Sequence, residues 1–228
     1  MERNVVQGSI LLPQSCTFIS NEQDDLYMPD RKLQRIVMIG ATGSGKTTLG
    51  RRVAEKLRLP LVDLDELHWL PGWKARLPDE FLELVERAAG AEEWVMCGNY
   101  SGVREAVWPR ADAIVWLDYP FLLVLRRLLG RTLRRIHDRR EVCNGNVETW
   151  SQALSKDSII VWLFRSYWRH REAYQKVFRD PGLYPNARYI RLKSPAEAEA
   201  WLASLKPPET ETTPPAGADE PFPAKASA

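Results

Sequence analysis

Gly40-Ala41-Thr42-Gly43-Ser44-Gly45-Lys46-Thr47 is the stretch that most limits what this chain can become. It matches G-x-x-x-x-G-K-T without a gap, and its surroundings suit the motif. A β-rich run, Arg35-Ile36-Val37-Met38-Ile39, leads into it. A helix is predicted from Lys46 to about Leu57, with Leu49, Val53 and Leu57 on one face. The glycines permit unusual φ angles and close backbone approach, so the loop N–H groups and the helix N-terminus can face an anion. Lys46 adds a cation for β- and γ-phosphates, and the Thr47 hydroxyl is the expected Mg²⁺ ligand. Gly40, Ala41, Thr42, Gly43, Ser44, Gly45, Lys46, Thr47 and Thr48 are therefore the expected cradle for ATP or GTP.

Strand and helix alternate downstream. Pro60-Leu61-Val62-Asp63, Trp94-Val95-Met96-Cys97, Ala113-Ile114-Val115-Trp116-Leu117 and Arg188-Tyr189-Ile190-Arg191-Leu192 read as further strands. Helices are predicted from Pro78 to Gly90, from Pro120 through an arginine-rich stretch, over 147–178, and from Pro195 to about Leu205. Apolar strands joined by helical crossovers predict an α/β fold of the P-loop NTPase class, with a central parallel sheet of about five strands flanked by helices. Ligands on such sheets bind beyond the carboxyl ends of the strands. The organisation expected is a flexible extension over 1–33, one domain over 34–205 and a disordered tail over 206–228, the tail being rich in Pro, Ala, Thr and Glu.

Composition narrows the function classes. Lys and Arg number 32 against 30 Asp and Glu, a net charge of +2, so a basic role must be local. Three dispersed cysteines, Cys16, Cys97 and Cys143, form neither a CxxC pair nor an even framework, and a reducing, cytoplasmic setting is expected. No apolar run approaches the roughly 18 residues of a membrane span, and Ile10-Leu11-Leu12 is too short for a signal-peptide core.

Several acidic and polar residues fall at strand ends. Asp63 and Asp65 alternate after the second strand, where a carboxylate orients Mg²⁺-bound water, accepts a proton from an attacking hydroxyl, or simply caps a short helix. Asp118 follows four apolar residues and reads either as a carboxylate holding Mg²⁺ through water or as a turn residue before Tyr119-Pro120. Gly98, Asn99 and Tyr100 offer substrate contact or turn chemistry. Residues 126–140 hold seven arginines opposed only by Asp138. Leu122, Leu125, Leu129, Leu133 and Ile136 are the expected buried face, with Arg127, Arg131, Arg134 and Arg135 on another. Guanidinium groups there suit neutralisation of a transferring phosphoryl group, a solvated basic face, or a nucleic-acid patch.

Taken with His68-Trp69, Pro71-Gly72-Trp73, Trp94 through Ser101, Ile114 to Pro120, Arg126-Arg127 with Arg131, and Leu192-Lys193-Ser194-Pro195, the chain resembles the small P-loop proteins described as DNA topology modulation proteins, relatives of adenylate and shikimate kinases. The resemblance covers about 34–205. It implies a nucleoside/shikimate kinase-like fold with an arginine-rich lid at about 126–146. Together with the strand-end residues above, the expected site has Lys46, Asp65, Arg127 and Arg131 in catalysis, Asp63, Asp65, Gly98, Asn99 and Tyr100 at the acceptor, and Thr47 and Asp118 on Mg²⁺. The activity implied is transfer of the γ-phosphoryl group to a small-molecule or nucleotide acceptor; the alternative is a nucleotide-dependent regulatory protein with DNA as partner. Similar proteins often carry Asp where Cys97 stands.

Overall fold

The computed structural model describes residues 32–208. Cys16 and nearly all of the expected N-terminal extension and C-terminal tail lie outside the described residues. In chain order the elements are β1 (Arg35–Gly40), α1 (Lys46–Leu57), β2 (Leu61–Asp63), α2 (Leu64–His68), β3 (Trp69–Leu70), β4 (Lys74–Ala75), α3 (Pro78–Ala89), β5 (Trp94–Cys97), α4 (Arg104–Val107), β6 (Ala113–Leu117), α5 (Phe121–His137), β7 (Glu141–Val142), β8 (Asn146–Val147), α6 (Trp150–Ala153), α7 (Ile159–Arg179), β9 (Arg188–Leu192) and α8 (Pro195–Ser204).

Five strands form one parallel sheet in the order β2-β5-β1-β6-β9. β1 is central, so the glycine loop leaves the middle of the sheet's carboxyl edge. Side chains alternate between two cores, as a doubly covered sheet requires. Ile36, Met38, Val95, Val115 and Leu117 pack with α1, α8 and the starts of α5 and α7. Val37, Ile39, Met96, Ile114 and Trp116 pack with α3 and the second half of α7. Each such burial contributes about 1.5–3 kcal/mol, which explains why apolar runs in these strands are nearly unbroken. The predicted sheet is thus the observed one.

Cys97 is buried under α1, and a Cβ on Gly50 would stand only 2.3 Å from its sulfur. The side chain at this position wedges between sheet and helix rather than facing the cleft. Cys97 therefore fills space that a glycine in the helix leaves open, and burial pushes its thiol well above the usual range.

Two sequence expectations need correction. The stretch 147–178 is not one helix: α6 ends at Ala153, and α7 begins only after Ser158, whose Oγ accepts a 3.2 Å hydrogen bond from the Val161 N–H. The buried face of the arginine helix is also different. Val124, Leu128, Thr132 and Ile136 are inside, whereas Leu122, Leu129 and Leu133 are 76%, 39% and 50% exposed. Two stripes of that helix have helical spacing, and contact with the glycine loop selects between them. A Cβ on Gly43 (φ +81°) would lie 2.8 Å from Leu128 Cβ, so helix and loop touch where only glycine fits.

Two antiparallel hairpins, β3–β4 and β7–β8, stand outside the main sheet. With two residues per strand they leave too little periodicity to read in the sequence.

Candidate active site

The loop between β1 and α1 is held from three sides. Asn99, just beyond β5, accepts from the Gly40 N–H at 3.2 Å and donates its amide to the Gly40 carbonyl. Lys46 reaches back over the loop to the Ala41 carbonyl at 3.2 Å. Arg127 of α5 donates to the Ser44 carbonyl at 3.1 Å while stacking 5.3 Å above the Tyr119 ring.

These contacts leave the features an anion needs. α1 begins at Lys46 after Gly45 (φ 99°), with no side chain capping it, so its first N–H groups have no intrahelical acceptor. Ser44 Oγ is fully buried without a partner. Burial lowers the Lys46 pKa, partly offset by the charges of Asp65 and Asp63. The loop fits the polyphosphate of a nucleoside triphosphate. Within it Thr48 is exposed on the outer side of α1, while Thr47 faces inward near Asp63.

Asp63 and Asp65 meet the loop across β5, which intervenes between β2 and β1. Asp63 caps α2, accepting from the Asp65 N–H at 3.1 Å. Burial and the neighbouring Asp65 charge push its carboxyl up to about 6, against the pull of the Asp65 N–H and the Thr47 side chain. A carboxyl so placed, beside the threonine expected on Mg²⁺, is suited to a divalent cation, which would favour its ionised form. Asp65 accepts a 2.7 Å hydrogen bond from the Tyr100 hydroxyl. His68, Phe81 and Tyr100 pack their rings against one another at centroid distances of 4.7–5.0 Å and wall this side of the cleft.

The opposite wall is cationic. Arg131 is half-buried with its Nε enclosed and unpartnered, and desolvation and Arg135 depress its pKa while Glu148 and Asp65 oppose the shift. Its charge also bears on Lys46, so both cations serve one space. Arg135 pairs with the mostly buried Glu148 at 2.7 Å. Arg134, grouped with these from its sequence spacing, is exposed.

Three sequence-predicted residues do other work than expected. Asp118 is not available to Mg²⁺: its carboxylate, 6% exposed, receives Arg171 at 2.7 Å and Arg191 Nε at 3.0 Å. Asn99 spends both amide atoms on Gly40 and positions the loop. Gly98 lets α2 close on β5, since a Cβ there would stand 2.7 Å from Leu64 Cβ. The arginine helix is not a detached lid either, because Arg127 and Leu128 already sit on the loop.

Sequence reasoning missed Tyr119, whose ring supports Arg127, and His170 of α7. Burial and the cations Arg169, Lys46 and Arg104 push His170 down to about 4. A lone histidine in a long helix gives no signal of such neighbours. It also missed Asn144 and Asn146, although the left-handed residues of their turn follow the N-G pattern of tight hairpins.

The family model described as shikimate kinase matches residues 42–72, from the glycine loop to Gly72. The shikimate kinase of Symbiobacterium thermophilum is 32% identical over 117 residues, covering 44% of this chain and 66% of that protein. The shikimate kinase of Corynebacterium efficiens is also 32% identical over 117 residues, covering 44% of this chain and 68% of that protein. The chain thus spans about two thirds of the length of these relatives. Among solved structures, the shikimate kinase from Acinetobacter baumannii in complex with shikimate aligns with 75% of this chain and 89% of its own, at 18% identity and a TM-score of 0.45.

Proposed function

We propose, for a chain that belongs to the shikimate kinase family, that the acceptor of phosphoryl transfer is a small hydroxylated molecule held between Asp65 and Arg131. The chain is an ATP-dependent phosphotransferase with a small-molecule acceptor, and its family uses ATP and Mg²⁺. The observation that supports the acceptor site is the Asp65–Tyr100 hydrogen bond, with the Asp65 charge acting on both Lys46 and Arg131.

In this reading the loop N–H groups and Lys46 bind the β- and γ-phosphates. Thr47 and Asp63 would hold Mg²⁺, which neutralises phosphate charge when bound. Asp65 orients the acceptor hydroxyl and takes its proton as the oxygen attacks the γ-phosphorus. The bond from that phosphorus to the ADP oxygen breaks, and Lys46, Arg127 and Arg131 stabilise the charge that shifts onto ADP. Tyr100 fixes the Asp65 carboxylate through one oxygen and leaves the other for the acceptor. The aromatic wall of His68, Phe81 and Tyr100 supplies apolar surface for an acceptor ring or carbon chain.

Shikimate, the substrate in the relatives' names, heads the panel of acceptors to try, followed by sugar acids, nucleosides and nucleoside monophosphates. Coupled detection of ADP release with Mg²⁺ and each acceptor tests the reading. One acceptor should raise ADP release at least tenfold over ATP alone, and its phosphorylated product should appear by mass spectrometry. No stimulation by any member of the panel would refute the small hydroxylated acceptor. The DNA-associated alternative rests on the arginines of α5, of which Arg127, Arg131 and Arg135 turn inward. Salt-sensitive DNA binding that changes with ATP would favour it.

A further inference from the structure

We propose that Asn146, assisted by Asn144, is a positioning residue that latches the β7–β8 hairpin onto the β3–β4 hairpin and so roofs the Asp65–Tyr100 pair. This inference rests on the phosphotransfer reading above.

Asn146 is 3% exposed and fully engaged. Its Oδ1 accepts from the Trp73 N–H at 2.8 Å, and its Nδ2 donates to the Leu70 carbonyl at 3.0 Å and to the Cys143 carbonyl at 2.5 Å. Asn144 Nδ2 donates to the Glu66 and Trp69 carbonyls at 2.8 and 2.6 Å. The Trp73 indole N–H donates to the Val147 carbonyl at 3.3 Å. Most of these bonds join segments more than 70 residues apart in sequence. A hairpin with two-residue strands has no core of its own and is marginal in water. Left-handed backbone at Trp73, Cys143 and Asn144 aims the two turns at each other. Each hairpin therefore takes its order from the other.

The chain connections make this contact part of the site. β3 directly follows α2, which carries Asp65, and β7 follows α5, which carries Arg131 and Arg135. Glu148, immediately after β8, pairs with Arg135. Asn144 bonds the carbonyl of Glu66, the residue after Asp65, so the β7–β8 turn sits against the helix that carries the carboxylate. Breaking the latch would lift the hairpin roof from the space between Asp65 and Arg131 and admit water, while Arg127 and Leu128 keep α5 on the loop. Two oxygens compete for the γ-phosphorus. Attack by an acceptor hydroxyl gives ADP and phosphorylated acceptor, with the proton passing to Asp65. Attack by water breaks the same bond and gives ADP, inorganic phosphate and a proton. A closed roof favours the first because it excludes water.

The test uses the full chain with Asn146→Ala, and with Asn146→Asp as an isostere. Asp keeps the acceptor for Trp73 but sets an oxygen against the Leu70 carbonyl, and it guards against a folding defect in the Ala variant. With ATP and Mg²⁺ bound, hydrogen exchange across 69–75 and 141–147 should accelerate about tenfold or more in the Ala variant, the scale of one lost hydrogen bond, and by a smaller factor in the Asp variant. The ratio of acceptor-independent ATP hydrolysis to acceptor transfer should rise about tenfold, with ATP affinity and melting temperature nearly unchanged. A merely structural asparagine would lower melting temperature and both activities together and leave their ratio alone, which would overturn the proposal. So would unchanged exchange across 69–75 in both variants. If the wild type turns over no acceptor, the phosphotransfer reading fails, whereas faster exchange confined to the two hairpins still upholds the latch and unchanged exchange removes it.

Discussion

The Tyr100 hydroxyl donates a 2.7 Å hydrogen bond to the Asp65 carboxylate, joining the end of β5 to the start of α2 across the mouth of the cleft. Neither residue could hold an acceptor alone: Asp65 without Tyr100 is a carboxylate on a five-residue helix, free to turn to water. Burial and the Asp65 charge push the Tyr100 phenol far above its ordinary range, so it remains a donor at every working pH.

Asp65→Asn should spare ATP binding and lower acceptor-dependent turnover by roughly 10²-fold or more, the scale of general-base and positioning roles. The helix N-cap is Asp63, which this substitution leaves in place, so the fold should tolerate it. Steady-state kinetics beside nucleotide calorimetry checks both halves; full turnover would remove Asp65 from the chemistry.

Lys46→Ala should abolish tight binding of ATP with Mg²⁺ while circular dichroism and melting stay close to wild type. The ammonium touches only the Ala41 carbonyl within the loop and takes no part in either core. Isothermal calorimetry decides it: unchanged affinity would end the phosphate assignment.

Asp118→Ala should cost stability rather than Mg²⁺ binding. It leaves the Arg171 and Arg191 guanidiniums without their shared carboxylate, a loss of about 2–3 kcal/mol given that Arg171 is partly exposed. Thermal denaturation should show a drop of several degrees. A normal melting temperature with a collapse of Mg²⁺-dependent nucleotide affinity would restore the metal role.

His170 predicts a pH dependence. Its pKa is pushed down to about 4 in the fold, against about 6.5 when unfolded. Because the folded value is the lower one, the neutral ring's contribution is fully present above pH 6.5 and is lost as pH falls towards 4. His170→Gln should flatten the decline in stability over that window by about 2 kcal/mol, after allowance for partial exposure. Urea denaturation of both proteins at pH 7.5 and 4.5 measures the difference. Parallel declines would mean that His170 does not titrate against Arg169, Lys46 and Arg104.

The glycine loop, the helix starting at Lys46 and the five parallel strands were legible in the sequence because each rests on local chemistry. A φ of +81° at Gly43, an uncapped helix start and continuous apolar strands leave a mark at fixed spacing, whatever lies elsewhere in the chain. Residues whose role depends on a distant partner left no such mark. Asp118 at a strand end fits a metal ligand or an ion pair equally well, and only α7 and β9, bringing Arg171 and Arg191 to it, make it the second. The arginine helix has two stripes of helical period, and packing against Gly43 and the core beneath it, including α7, decides that Leu128 is inside and Leu129 outside. Asn146 and Trp73 are 73 residues apart, and their hydrogen bond exists only because two hairpins too small to stand alone meet above Asp65. The sequence determined the sheet and its phosphate loop through local backbone and burial preferences; the tertiary structure decided which polar side chains face the cleft, because that depends on what the fold sets opposite them.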